Sequence, residues 1–116
     1  MRFDRSRDRK WNNKMADVQT RGITFTEAVL RRPTMYTLTG SFAEVACFLE
    51  GYYSGLAKAN YDAPPVVEWS AFLRWLAKRL GVDSALALKR IHESYEDDCE
   101  RMRAFADWYA RFQVER

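Results

Sequence analysis

The side chains of this sequence that could carry nucleophilic chemistry are one histidine and two cysteines: His92, Cys47 and Cys99. A cysteine nucleophile needs a base beside its thiol and a site for the oxyanion, and the sequence has no glycine-rich strand-to-helix turn that would build such a site. Cys47 lies in the apolar run 45–49, so we expect it to be a small side chain of the core. Both cysteines are predicted to stay reduced, and the protein is predicted not to be an enzyme.

A metal site could involve His92 and Glu96, because side chains four residues apart meet on one face of a helix. Two ligands do not complete a tetrahedral site, and the sequence offers no second pair of histidines or cysteines. We therefore favour the alternative, a surface histidine beside a carboxylate. Because the ligand set is incomplete, we expect no metal. The sequence also lacks the glycine-rich loops that bind phosphate, so we expect no cofactor.

The most uneven charge pattern begins just after His92, where five carboxylates fall within eight residues and no basic residue separates them. Acidic residues stabilise the positive N-terminal end of a helix, but that role accounts for only about two or three of the five. The surplus suits contact with a basic partner surface, and the alternative is a solvated face. We call these residues the acidic cluster: Glu93, Glu96, Asp97, Asp98 and Glu100.

Two tyrosines lie in predicted loops, Tyr36 after Pro33 and Tyr61 before a pair of prolines. Loop tyrosines make good contact residues, because they supply a large area at low entropic cost. We predict that both bind the partner together with the acidic cluster. The alternative is that either ring folds back as a lid over the core.

Basic residues are concentrated at the N-terminus. Residues 1–14 contain six basic and two acidic residues, a net charge of +4, whereas the rest of the chain has a net charge of −1. We predict a flexible basic tail over residues 1–22, able to bind nucleic acid or simply solvated, and one domain over 23–116. The longest apolar run has five residues, against ~20 in a membrane-spanning helix, and no apolar leader follows Met1. We therefore expect a cytoplasmic protein without a membrane partner.

The elements that must position these side chains are predicted to be helices almost throughout. Capping boxes at 24–27 and 41–44 begin the first two helices, Pro33 ends the first, and Gly81 suits a left-handed C-cap. The stretch 60–65 is a turn-rich break that ends in two prolines. The five predicted helices run from Thr24 to Arg31 or Arg32, from Ser41 to about Lys58, from about Val67 to Leu80, from Asp83 or Ser84 through Ile91, and from near Glu96 to Phe112.

Apolar residues recur at helical spacing along these segments, and no window alternates as a strand does. The sequence therefore predicts an all-α fold, a single compact bundle of four to five helices. We expect a break at Ser94-Tyr95, and the alternative is one bent helix in place of the last two. The segment 32–36 is predicted to be an ordered turn packed on the bundle. The predicted core centres on Phe48, Leu49, Trp69, Phe72, Leu76, Phe105 and Tyr109.

The order of several segments resembles a group of small bacterial proteins of uncharacterised function. An RPxMY turn is present here as residues 32–36, and an FLxGY helix segment as residues 48–52. An aromatic helix that ends in Leu-Gly and an acidic, aromatic C-terminal helix follow, so the resemblance covers about residues 24–112. The glycine that usually follows MY is replaced by a Thr-Leu-Thr segment before Gly40. The resemblance implies an immunity protein of a bacterial toxin system, or a neighbour of such a protein.

Two hypotheses about function follow from the sequence. The first is a non-enzymatic protein-binding module, most concretely an immunity-type protein that neutralises a toxin with a basic surface through direct binding. The second is a nucleic-acid-associated or regulatory helical protein that uses the basic N-terminal arm. A DNA-reading helix would favour the second hypothesis, but the predicted fourth helix has only Lys89 and Arg90 as basic residues.

Overall fold

The computed structural model describes residues 24–115, and the predicted basic tail lies outside this range. The described residues form a bundle without any strand, as predicted. Two short 3-10 turns, Pro33–Met35 and Ser84–Leu86, lie between the helices. The five helices are α1 (Phe25–Arg31), α2 (Phe42–Ala59), α3 (Pro64–Leu80), α4 (Ala87–Ser94) and α5 (Asp98–Glu115).

The first two helices begin at the predicted N-caps. The Thr24 and Ser41 hydroxyls accept hydrogen bonds from the backbone N–H groups of Glu27 and Glu44, at 3.1 and 3.2 Å. The reciprocal half of each capping box was predicted wrongly, because the two carboxylates are used elsewhere. Glu27 pairs with Arg31 at 2.7 Å, and Glu44 accepts from the loop before its own helix.

Helix α3 begins at Pro64, so the prediction that both prolines belong to a break was wrong. A proline is accepted in the first turn of a helix, because its missing N–H would have no intrahelical partner there. Gly81 ends α3 with a φ of +71°, the left-handed conformation predicted for it. The N–H groups of Gly81 and Val82 both donate to the carbonyl of Ala77.

The predicted break between the last two helices is present at Tyr95, whose backbone is extended. Helix α5 begins at Asp98 rather than near Glu96, because the Asp97 carboxylate accepts a hydrogen bond from the backbone N–H of Glu100. A 3-10 turn precedes α4, so its first turn begins later than predicted.

The core is largely aromatic and centres on Phe72 of α3, which is fully buried. Its ring contacts five other rings at centroid distances from 5.1 to 6.4 Å, and these belong to Trp69, Trp75, Phe105, Tyr109 and Phe112. Six of the seven predicted core residues are buried, and Phe48 is half-buried.

Cys47 is exposed, so its predicted place in the core was wrong. The buried stripe of α2 contains Val45 and Leu49. At about 100° per residue, Cys47 is rotated roughly 200° from Val45 and lies on the opposite side of the helix.

Hydroxyl pairs attach α1 to the bundle. The side-chain oxygens of Thr24 and Tyr109 are 2.7 Å apart, and those of Thr26 and Tyr53 are 2.9 Å apart. Burial raises the pKa of both tyrosine hydroxyls above the ordinary value of 10.0, and Tyr109 is shifted furthest. The two tyrosines therefore stay protonated, and keep these hydrogen bonds, to a higher pH than an ordinary tyrosine would.

Candidate partner-binding surface

The acidic cluster lies on the corner where α4 turns into α5. Arg101 fixes the backbone of this corner, since its Nε donates to the carbonyl oxygens of His92 and Tyr95 at 2.9 and 2.8 Å. One of its terminal nitrogens lies 3.7 Å from Oδ1 of Asp98. Sequence reasoning missed Arg101, because an arginine after an acidic run gives no sign of the two carbonyls that it contacts.

Two of the five carboxylates accept backbone hydrogen bonds at the start of a helix. Asp97 caps α5, and Asp98 accepts a hydrogen bond from the backbone N–H of Phe42, with its oxygens 3.1 and 3.3 Å from that nitrogen. Asp98 thus places a negative charge at the positive N-terminal end of α2. The start of α2 and the start of α5 are thereby joined.

The other three carboxylates, Glu93, Glu96 and Glu100, are exposed. Within residues 24–115 none of the three makes a hydrogen bond or an ion pair. They are the surplus charge predicted from the sequence, and no residue of the described range pairs with them. Tyr95 lies between them in the chain and is also exposed.

The loop 36–41 leads directly into Phe42, whose backbone N–H contacts Asp98 of this corner. Sequence reasoning missed Leu38 of this loop, whose side chain is 92% exposed. The loop is nevertheless ordered: both the N–H and the hydroxyl of Thr39 donate to Glu44 at 2.7 Å, and the Gly40 N–H donates to Thr37. These bonds to the carboxylate lower the pKa of Glu44, the backbone N–H being the larger cause.

Gly40 makes the sharp turn of this loop possible. Its φ is +74°, and a Cβ at this position would meet the Thr34 side chain at 3.0 Å. Only glycine adopts this conformation readily and fits the available space. Leu38 is therefore presented to solvent on a shaped loop, four residues before Phe42.

The two predicted contact tyrosines lie at different places. Tyr36 is half-buried in the ordered turn, with its ring 5.6 Å from that of Phe25 and 6.0 Å from that of Phe48. Tyr61 is 80% exposed in the connection between α2 and α3. Because α2 has 18 residues, Tyr61 lies about 27 Å along the helix from the acidic corner. One compact surface therefore does not include both Tyr61 and the acidic cluster.

The metal pair considered from the sequence does not have helical geometry. Helix α4 ends at Ser94, so Glu96 does not follow His92 on the same helix face. His92 is half-buried, with its ring 5.9 Å from that of Phe42. No group of three or more potential ligands lies close enough together to hold a metal ion in the described part of the chain.

Comparison of the chain with protein-family models, with curated proteins and with solved structures finds no match. Across residues 24–115, no helix combines the length and the apolar character needed to cross a membrane. The surface just described is therefore the principal guide to function.

Proposed function

We propose that this protein is a non-enzymatic binding module, of the kind that neutralises a bacterial toxin by direct contact, and that its partner presents a basic surface. The observation that carries the proposal is the exposure of Glu93, Glu96 and Glu100 on a corner that Arg101 and Asp98 hold in place. Three like charges on a fixed corner repel one another, and a cationic partner relieves that repulsion.

The apolar side chains beside the charges support a protein partner rather than a small cation. Tyr95 is exposed between Glu93 and Glu96 in the chain, and Leu38 is exposed in the loop that leads to Phe42. Exposed apolar groups of this kind are typical of protein contact surfaces. In this arrangement the carboxylates steer the encounter, and the apolar side chains become buried on docking. Tyr36 can extend the contact from its turn, whereas contact through Tyr61 requires a partner that reaches the other end of α2.

The test is affinity capture from cells of the source organism with the full chain, followed by co-expression with the captured protein. The informative variant replaces Glu93, Glu96 and Glu100 with glutamine, because none of these side chains makes a hydrogen bond or an ion pair within residues 24–115. Asp62→Asn, at the far end of α2, is the matched control. We expect the control to capture and neutralise a basic, growth-inhibiting protein. The triple variant should neither capture nor neutralise it. Capture by both variants alike would overturn the proposal.

The second candidate function rests on the charge of residues 1–14. A basic arm binds nucleic acid by neutralising phosphates, so its affinity falls steeply with salt. Fluorescence anisotropy with a labelled DNA duplex, on the full chain and on a chain that begins at Met15, tests this candidate. Equal binding by the two chains would exclude a role for the arm.

A further inference from the structure

The outward face of α2 differs from an ordinary solvated helix face. Its exposed side runs from Ala43 through Cys47, Gly51 and Gly55 to Lys58, with few charged side chains. Four partly exposed aromatic rings line one edge of this side, and we call them the aromatic shelf: Phe25, Tyr36, Phe48 and Tyr52. In the shelf, the rings of Phe25 and Tyr52 stack at 4.2 Å, and those of Tyr36 and Phe48 lie 6.0 Å apart.

The shelf leaves part of each of its four rings in contact with solvent. Tyr52 is 40% exposed, and Phe25, Tyr36 and Phe48 are each partly exposed. The rings pack on one another and on the core, which fixes their positions. Ordered aromatic rings at a surface are characteristic of contact sites, because they bury a large area at little entropic cost.

Gly51 and Gly55 lie beside the shelf in the middle of α2, where glycine is unfavourable. A Cβ built at either position meets nothing within 4 Å, and neither residue has a positive φ. The described fold therefore gives no reason for glycine at these positions. Glycine on a helix face also permits the close approach of another backbone.

We propose that this face of α2, with its aromatic shelf, packs against the same face of a second copy of the chain, antiparallel about a two-fold axis at Gly51. The charges on this face indicate that the partner is a second copy of the chain, and they set the antiparallel orientation of the two α2 helices. Glu44 lies seven residues before Gly51 and Lys58 seven residues after it, about 10 Å away along the axis in each direction and on the same side of the helix.

In an antiparallel pair centred on Gly51, Glu44 of each copy faces Lys58 of the other, and both contacts are attractive. A parallel pair would place like charges opposite each other. A two-fold interface requires a self-complementary patch, and the placement of Glu44 and Lys58 meets that requirement. Both hydrogen bonds from Thr39 go to Oε1 of Glu44 and lower its pKa, so Glu44 is an anion whose Oε2 is left to face Lys58 of the other copy.

Sedimentation equilibrium of the full chain, over a wide range of concentrations, tests the proposal by charge exchange. Lys58→Glu places four acidic groups at the interface, and we expect the association constant to fall roughly tenfold or more. The double variant Glu44→Lys/Lys58→Glu restores both attractive contacts and should recover the association. Lys78→Glu, on the exposed side of α3, is the matched control and should associate like the wild type.

A mixture of the two single variants gives the sharpest result. Glu44→Lys and Lys58→Glu should each remain largely monomeric, yet pair with each other, because every charge then faces its opposite. Circular dichroism checks that Glu44→Lys still folds. Lys58 makes none of the loop hydrogen bonds, so Lys58→Glu leaves the loop intact. A wild type that stays monomeric throughout, or a Lys58→Glu variant that associates as well as the wild type, would overturn the proposal. Pairing of the wild type without recovery in the double variant would also overturn it.

Discussion

The carboxylate of Asp98 accepts the backbone N–H of Phe42 across 56 residues of sequence, with both of its oxygens within 3.3 Å of the nitrogen. This contact joins the first turn of α2 to the first turn of α5. It also separates the acidic cluster into residues that hold the corner and residues that face solvent. Charge reversal at Asp97 and Asp98 would therefore disturb folding as well as binding.

Asp98→Ala should lower the free energy of unfolding by about 1–2 kcal/mol, because it removes a charge-assisted hydrogen bond to a helix N-terminus. Glu100→Ala, two residues away and exposed, should change it by less than about 0.5 kcal/mol. Urea denaturation followed by circular dichroism measures both values. Equal losses in the two variants would show that the contact between Asp98 and Phe42 does not stabilise the fold.

Stability should fall as the pH rises above about 10, because the folded state holds Tyr53 and Tyr109 protonated while the unfolded chain ionises them. The raised pKa values contribute stability that is fully present below the unfolded value of 10.0 and is lost as the pH rises beyond it. Tyr109→Phe should be less stable than the wild type at pH 7, since it loses the bond to Thr24, and this deficit should shrink above pH 10. A deficit that stays constant with pH, in urea titrations, would contradict the assignment.

Gly51→Ala should raise the thermal stability of the monomer, since alanine is favoured over glycine in a helix by about 0.8–1 kcal/mol and its methyl group meets no neighbour. Gly81→Ala should lower it by about 1 kcal/mol, because Gly81 has a φ of +71°. Calorimetry at low protein concentration, where association is negligible, compares the two variants. A stabilising Gly81→Ala would mean that this C-cap is not left-handed.

Trp69→Ala should cost about 3–5 kcal/mol, the usual range for removing a large buried aromatic side chain. The indole is buried, its ring lies 4.9 Å from that of Tyr53, and its N–H donates to Glu50 at 3.2 Å. Tyr61→Ala, which removes an exposed ring, is the control and should be nearly neutral. A loss below about 1 kcal/mol for Trp69→Ala would place that side chain at the surface.

The helices could be predicted from local patterns because their determinants are local. The N-caps Thr24 and Ser41 and the C-cap Gly81 each act within four residues of themselves. The errors arose where one residue type has two roles. Pro64 can end a turn or begin a helix, and Cys47 lies in an apolar run that α2 divides between its buried and exposed sides.

The candidate surface was only partly predictable, because its arrangement depends on long-range contacts. The acidic cluster is visible in the sequence. Which of its carboxylates stabilise the fold and which face solvent depends on contacts such as that of Asp98 with Phe42, which is far away in the chain. Arg101 and Leu38 belong to no sequence motif. The role of Arg101 requires the carbonyl groups of a turn that exists only after α4 and α5 have packed.

The central claim is that the exposed carboxylates of the acidic corner steer a basic partner protein. The measurement that tests it most directly is the association rate of the captured partner with the Glu93→Gln/Glu96→Gln/Glu100→Gln variant, at low and at high ionic strength. We predict that the rate falls roughly tenfold or more at low salt, relative to Asp62→Asn, and that the two variants converge as salt screens the charges. Equal rates at low ionic strength would contradict the claim.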